Sequence, residues 1–185
     1  QIKINTSFAS DFGIFEIGRV VDGVDSNNKC IEKKKLAITL FSKTKDIKEL
    51  YIKLRDILAT ITDDLKHKEL TFKVSQAEHS YEHPINLNKI ILDGKEIGTM
   101  AIVHPLVGKK IDKKANIVFA EIDVEMFANV ENASIAYSEP SKFPPMTYDL
   151  SLELTKDMFY GKLQECWKDF GSGILKNTKI VDTYD

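Results

Sequence analysis

The stretch Ile14-Phe15-Glu16-Ile17-Gly18-Arg19-Val20-Val21 is an apolar, β-rich segment with one Glu and one Arg, and it runs straight into Asp22-Gly23-Val24-Asp25-Ser26-Asn27-Asn28-Lys29. Asp-Gly and Asn-Asn are turn formers. A second apolar run, residues 36–41 (LAITLF), follows the polar segment 22–35. Residues 13–21 and 36–41 are therefore expected as a long hairpin or as adjacent antiparallel strands. Lys33-Lys34-Lys35 leads into the second strand. Such a run can touch phosphate, but a solvated strand entry is the expectation.

Outward from this hairpin, Ile47, Leu50, Tyr51, Leu54, Ile57, Leu58, Ile61 and Leu65 recur at steps of three and four. This is the pattern of a helix laying one apolar stripe on a sheet. Asp46 with Glu49 suits a capping box at its start. Residues 70–74 (LTFKV) alternate like an edge strand. Asp93-Gly94 sits between two further strand-like runs, a strong two-residue hairpin signal. Pro105 opens a short helix, and residues 116–124 (NIVFAEIDV) alternate again. Residues 1–130 thus read as an antiparallel sheet with covering helices, an α+β arrangement.

The pattern changes near Tyr137. Three of the five prolines, Pro140, Pro144 and Pro145, lie close together and mark a linker or an extended entry to a new unit. Leu150, Leu152 and Leu154 then alternate with Ser151 and Glu153. A helix is expected with Phe159, Leu163, Cys166, Trp167 and Phe170 on one face, stopped by Gly171 and Gly173 and followed by a strand in residues 174–185. The second unit is then one β-α-β.

The 185 residues suffice for a real core, and 43% hydrophobic with 29% charged residues is ordinary for a globular chain. No apolar run of membrane-spanning length occurs, so no membrane is expected as a partner. Cys30 and Cys166 make neither a disulfide framework nor a CxxC pair, which points to a reducing cytoplasm. The first residue is Gln, so a piece of a longer polypeptide is expected. The net charge is −2, so any RNA contact must be local. Only Arg19 and Arg55 are Arg; every other cation is Lys, a point charge without the bidentate fork that grips phosphate.

His79 and His83 stand four apart beside Glu78 and Glu82, a spacing that on a helix would suit zinc. The segment is short and stopped by Pro84, so a polar loop is expected and no metal. His104, before Pro105, is expected to cap a strand-to-helix corner rather than serve as a general base. No GxGxxG, P-loop or GxSxG occurs.

Taken in order, FEIGRVV, LAITLF, DIKEL, the first HP, LDGKEIG, HPLV, FAEIDV and SKFPPMTYDLSLEL resemble the C-terminal region of the bacterial phenylalanyl-tRNA synthetase β-subunit family. The resemblance covers nearly the whole chain. It implies a catalytic-like, inactive class II synthetase domain in residues 1–136 and the first half of a ferredoxin-fold anticodon-binding domain in residues 137–185. In active class II enzymes the hairpin strand continues into Phe-Arg-x-Glu, whose Arg holds the ATP α-phosphate. Here the pattern falls on Val21-Asp22-Gly23-Val24, so Asp22 stands at the Arg position and Val24 at the Glu position. The resemblance therefore implies no catalytic residue and no cofactor in this chain. ATP and magnesium would serve the holoenzyme, catalysis would lie in the partner α subunit, and two α with two β chains would charge tRNA-Phe. Lys142, Lys156, Lys176 and Lys179 are the candidate tRNA contacts.

The chain also departs from the family. His83-Pro84-Ile85-Asn86 stands where His-Pro-Gly-Arg is usual, Ala101-Ile102-Val103 precedes His104-Pro105 in place of Gly-Glu-Leu, and Tyr148 replaces an Arg before Asp149. These departures carry the alternative of a diverged, stand-alone synthetase-like interaction module without ligase activity.

Overall fold

A computed structural model describes residues 1–134, 137, 139, 141–155, 158–168 and 174–182. The chain divides into two compact units, Gln1–Tyr137 and Ser138–Asp185. The first contains α1 (Ile2–Asn5), β1 (Asp11–Val24), β2 (Cys30–Ser42), α2 (Ile47–Lys66), β3 (Leu70–Val74), β4 (Glu82–Leu92), β5 (Lys95–Val103), α3 (Pro105–Ile111), β6 (Asn116–Asp123) and α4 (Val124–Ala128). One six-stranded sheet runs in the order β1-β2-β6-β5-β4-β3, and every neighbouring pair is antiparallel. The α+β architecture follows the hydrophobic periodicity, with β3 at the edge as its alternation suggests.

The β1–β2 hairpin is longer than the apolar runs predict. Pairing runs from Asp11 with Ser42 to Val21 with Glu32, so the polar residues 30–35 are strand and not connector. The turn itself is closed by Asp25, whose Oδ1 accepts from the Asn27 and Lys29 amides, both at 2.8 Å. Asn28 takes the left-handed conformation there (φ 62°). Asp22-Gly23 is not in the turn. It forms a register shift between Val21 and Val24, with Gly23 at φ 114°. A side chain is rarely tolerated at that φ, which explains the glycine. At the β4–β5 turn, Asp93 and Gly94 both have positive φ, as a two-residue hairpin of matching twist requires.

Helix α2 begins at Asp46, whose carboxylate accepts from the Lys48 amide at 2.7 Å. The Glu49 carboxylate lies 3.6 Å from the Lys45 ammonium, so the capping-box partner expected at Glu49 is drawn to a charge instead. The buried seam is Leu50, Leu54, Leu58, Thr62 and Lys66. Strict four-residue steps leave Ile61 half-buried on its flank and turn Leu65, expected in the stripe, out to solvent. The seam packs on Ile38, Leu40, Ile90, Leu92, Met100, Val118 and Ala120 of the sheet. Lys66 ends it with its ammonium buried, donating to the carbonyls of Ala128 (3.1 Å) and Val130 (2.6 Å) and lying 5.4 Å from the Phe127 ring centroid. No helix among the described residues is long and apolar enough to cross a membrane.

In the second unit the described residues form one helix, α5 (Tyr160–Lys168), with Tyr160 and Trp167 meeting edge to face at 6.5 Å. The strands expected on either side are not formed in residues 148–155 and 174–182, and Leu150, Leu152 and Leu154 are exposed. The two strands of a split β-α-β unit lie apart and need a third between them, so alternation alone does not make them strands. Phe170, Gly171 and Gly173 lie outside the described residues.

Leu58 is fully buried, and Leu58→Ala is expected to lower the unfolding free energy by about 2–5 kcal/mol. Leu65→Ala, on the exposed side, should change it by less than about 0.5 kcal/mol. Urea denaturation of both variants checks the seam, and equal effects would contradict it.

Candidate functional site

Strand side chains alternate between faces. With α2 covering one face, the register sends Lys33 and Lys35 of β2, Phe119, Glu121 and Asp123 of β6, Thr99 of β5 and Lys89 of β4 to the other. Asp22 joins them from β1, and the segment leading into β4 supplies Glu78, His79, Tyr81 and Glu82. Together they line a cleft of about 350 Å³.

Ion pairs make up its floor. Lys33 pairs with Asp22, Lys35 with Glu121 at 2.5 Å, and Lys89 with both Glu78 and Glu96 at 3.0 Å each. The Lys33 hydrogen bond, and then its charge, hold the Asp22 carboxyl below its ordinary value, and Asp22 in turn raises Lys33. Lys89 lowers Glu78 in the same way, and Lys89 is itself raised, first by its bond to Glu96. One wall is aromatic: Tyr81 lies 5.5 Å from Phe119, and His79 stacks on Tyr81 at 5.2 Å. Burial, followed by the charges of Glu121 and Glu82, pushes the Tyr81 phenol up.

The remaining carboxylates are committed to backbone. Buried Glu82 accepts from the amides of Glu78 (2.7 Å) and His79 (2.9 Å), and Asp123 caps α4 through the amides of Glu125 and Met126. The three floor lysines are thus neutralised, and the lining carboxylates Asp22, Glu78, Glu82, Glu96, Glu121 and Asp123 outnumber them. An incoming polyphosphate would meet net negative charge and no free ammonium.

The sequence-predicted residues scatter. Asp22 lies on the cleft floor, whereas Val24 stands beyond the Gly23 shift, opposite Cys30 and exposed. Lys142, Lys176 and Lys179 are exposed in the second unit, and Lys156 lies outside the described residues. At the strand entry Lys34 is exposed as expected, and the half-exposed Lys33 and Lys35 form cross-strand ion pairs besides. The period-two spacing of these lysines was the available signal. His83 is the second residue of β4, with its Nδ1 accepting from the Ile85 and Asn86 amides at 3.2 Å, so His79 and His83 do not share a helical face. No cluster of three or more His, Cys, Asp or Glu that could hold a metal ion occurs among the described residues. The His104 Nδ1 accepts from the Leu106 amide at 3.2 Å and caps α3, as the strand-to-helix corner suggests.

Fold and cleft together define an antiparallel α+β domain whose open sheet face is closed by its own ion pairs. Comparison with known proteins gives the family. The profile described as "Phenylalanyl tRNA synthetase beta chain CLM domain" matches residues 2–124, and the chain belongs to that family. The chain is 28% identical over 184 residues to the phenylalanine–tRNA ligase β subunit of Listeria monocytogenes, covering 95% of this chain and 22% of that protein. With the β subunit of Bacillus subtilis it shares 27% over 180 residues, 93% of this chain and 22% of that one. The Aquifex aeolicus β subunit is 26% identical over 175 residues, 94% and 22%. The chain therefore spans about a fifth of the length of these relatives. A solved structure, the pyrrolysyl tRNA synthetase PylSc of Desulfitobacterium hafniense, overlays with a TM-score of 0.48 at 16% identity, over 68% of this chain and 44% of that one.

The Asp22–Lys33 pair has a pH signature. A carboxyl with a depressed folded-state pKa contributes stability above its unfolded value, about 4, and loses that contribution as the pH falls through the lower folded value. Asp22 and Glu78 follow this sign. Lys33 and Lys89, raised in the fold, contribute below the ordinary lysine value and lose it as the pH climbs through the raised one. In a carboxyl-carbon NMR titration, Asp22 should titrate below free aspartate, and Lys33→Met should move it back up. An Asp22 titration unaffected by that substitution would remove the pair.

Proposed function

We propose that this chain is the non-catalytic, catalytic-like part of a phenylalanine–tRNA ligase β subunit. Residues 1–136 would form the inactive class II domain that packs on and supports the α subunit. Residues 137–185 would begin the anticodon-binding domain, with Lys142, Lys156, Lys176 and Lys179 as tRNA-Phe contacts. The setting is a cytoplasmic heterotetramer in which the α subunit performs the ATP- and magnesium-dependent ligation. Matches that run through more than nine-tenths of this chain support a subunit over a stand-alone module.

The cleft carries the reading. It occupies the sheet face reached by the hairpin in which an active class II enzyme needs Arg and Glu; Asp22 stands on its floor, and Val24 lies outside it, exposed beyond the Gly23 shift. Asp22 binds Lys33, an ammonium that would otherwise be free to meet a phosphate. These residues do not fit a nucleotide with its magnesium.

Calorimetry of the chain with ATP and magnesium should show no binding in the micromolar range; micromolar affinity would overturn the inactive-site reading. The parent β subunit mixed with the α subunit of the same source should form Phe-tRNA at a rate that Asp22→Asn leaves within about twofold. A loss of a hundredfold or more would place Asp22 in the reaction.

A further inference from the structure

A second charged surface lies away from the cleft, where β2 ends and β6 begins. Ser42 pairs with Asn116, and the Asn116 side-chain amide donates to the Lys45 carbonyl at 2.8 Å. These interactions join the start of α2 to the loop after α3. Four lysines crowd that loop and the last turn of α3: Lys109, Lys110, Lys113 and Lys114, all exposed. Their one sequence-neighbour anion, Asp112, is already engaged through both oxygens. Its Oδ1 accepts from the Lys114 amide at 2.9 Å, and its Oδ2 faces the Lys43 ammonium at 3.0 Å. Across the corner, Glu49 is taken by Lys45 and Asp46 caps α2. None of the four lysines is in an ion pair among the described residues.

We propose that this α3–β6 corner is a phosphate-binding surface for an RNA backbone. The chain as a whole is slightly acidic, so the corner is a local field and not a share of a general basicity. Lysines without arginine supply point charges, which suit phosphates and carry no base readout. A lipid surface fits less well. Helix α3 has seven residues and exposes one large apolar side chain, Leu106, whereas a membrane-surface helix needs a continuous apolar face. The acid-rich cleft would repel the same strand, so RNA would be steered to the corner. The choice of a tRNA as probe rests on the ligase reading; the lysine arrangement does not.

The test is fluorescence anisotropy of the full 185-residue chain with a phenylalanine tRNA across a salt series. The variant K109Q/K110Q/K113Q/K114Q changes only exposed side chains, and circular dichroism confirms its fold. Removing one lysine–phosphate interaction should shallow the slope of log K against log salt by roughly 0.7–0.9, so a decrease of about 2–4 and a fall of at least ~10-fold in low-salt affinity are expected. A second variant, K142Q/K176Q/K179Q, separates the corner from the second unit. Abolished binding in this variant alone overturns the corner and leaves the subunit reading standing. Unchanged slope and affinity in the first variant overturn it as well, as does tighter lysine-dependent binding to phosphatidylserine vesicles than to the tRNA.

Discussion

Burial of the α2 seam against one face of the sheet is the constraint on which the rest depends. Leu50, Leu54 and Leu58 are nearly or wholly removed from water, and each such side chain contributes roughly 1.5–3 kcal/mol. Strand periodicity then fixes everything opposite. Once Leu36, Ile38 and Leu40 turn toward the helix, Lys33 and Lys35 must turn away from it. The face turned away from α2 carries charges, and its lysines are matched to carboxylates across strands. Gly98 shows how tightly the strands of this arrangement meet: a Cβ there would lie 2.1 Å from the Glu121 carbonyl oxygen, so β5 and β6 approach more closely than any side chain at that position allows.

The fold was legible where apolar periodicity was strong. LAITLF, the stripe of α2 and the Asp93-Gly94 turn each carry their own local instruction. The polar half of β2 does not, because residues 30–34 become strand by pairing with β1, and Lys35 pairs with both β1 and β6. The same holds in reverse for Leu150, Leu152 and Leu154, which alternate like a strand and find no partner among the described residues. Lys66 is illegible for another reason. A lysine at the end of a helix is ordinarily a surface residue, and only the fold brings two carbonyls to its ammonium.

The cleft was hardly legible at all. Its floor joins Asp22 of β1, Lys33 and Lys35 of β2, Lys89 of β4, Glu96 of β5 and Glu121 of β6, drawn from five strands. Period-two spacing links Lys33 with Lys35, but no spacing rule joins that pair to its partners on the other strands. The family resemblance points to Asp22 and Val24, but it does not say that Asp22 is held by a lysine or that Val24 lies past a bulge. What the cross-strand pairing adds is a physical reason why this surface would hold a phosphate poorly: its lysines are already engaged, and carboxylates are in excess. Restoring one cation would therefore leave the others still engaged.

The buried ammonium of Lys66 makes that residue a natural sentinel. Its donors are directed at carbonyls and its stem is enclosed, whereas the lysines of the α3–β6 corner stand in solvent. Amine-directed reagents will therefore label the corner long before they reach Lys66. The moment at which Lys66 becomes reactive marks the detachment of residues 128–130 from the end of α2, so a single chemical footprint can report both surface occupancy and the integrity of the domain.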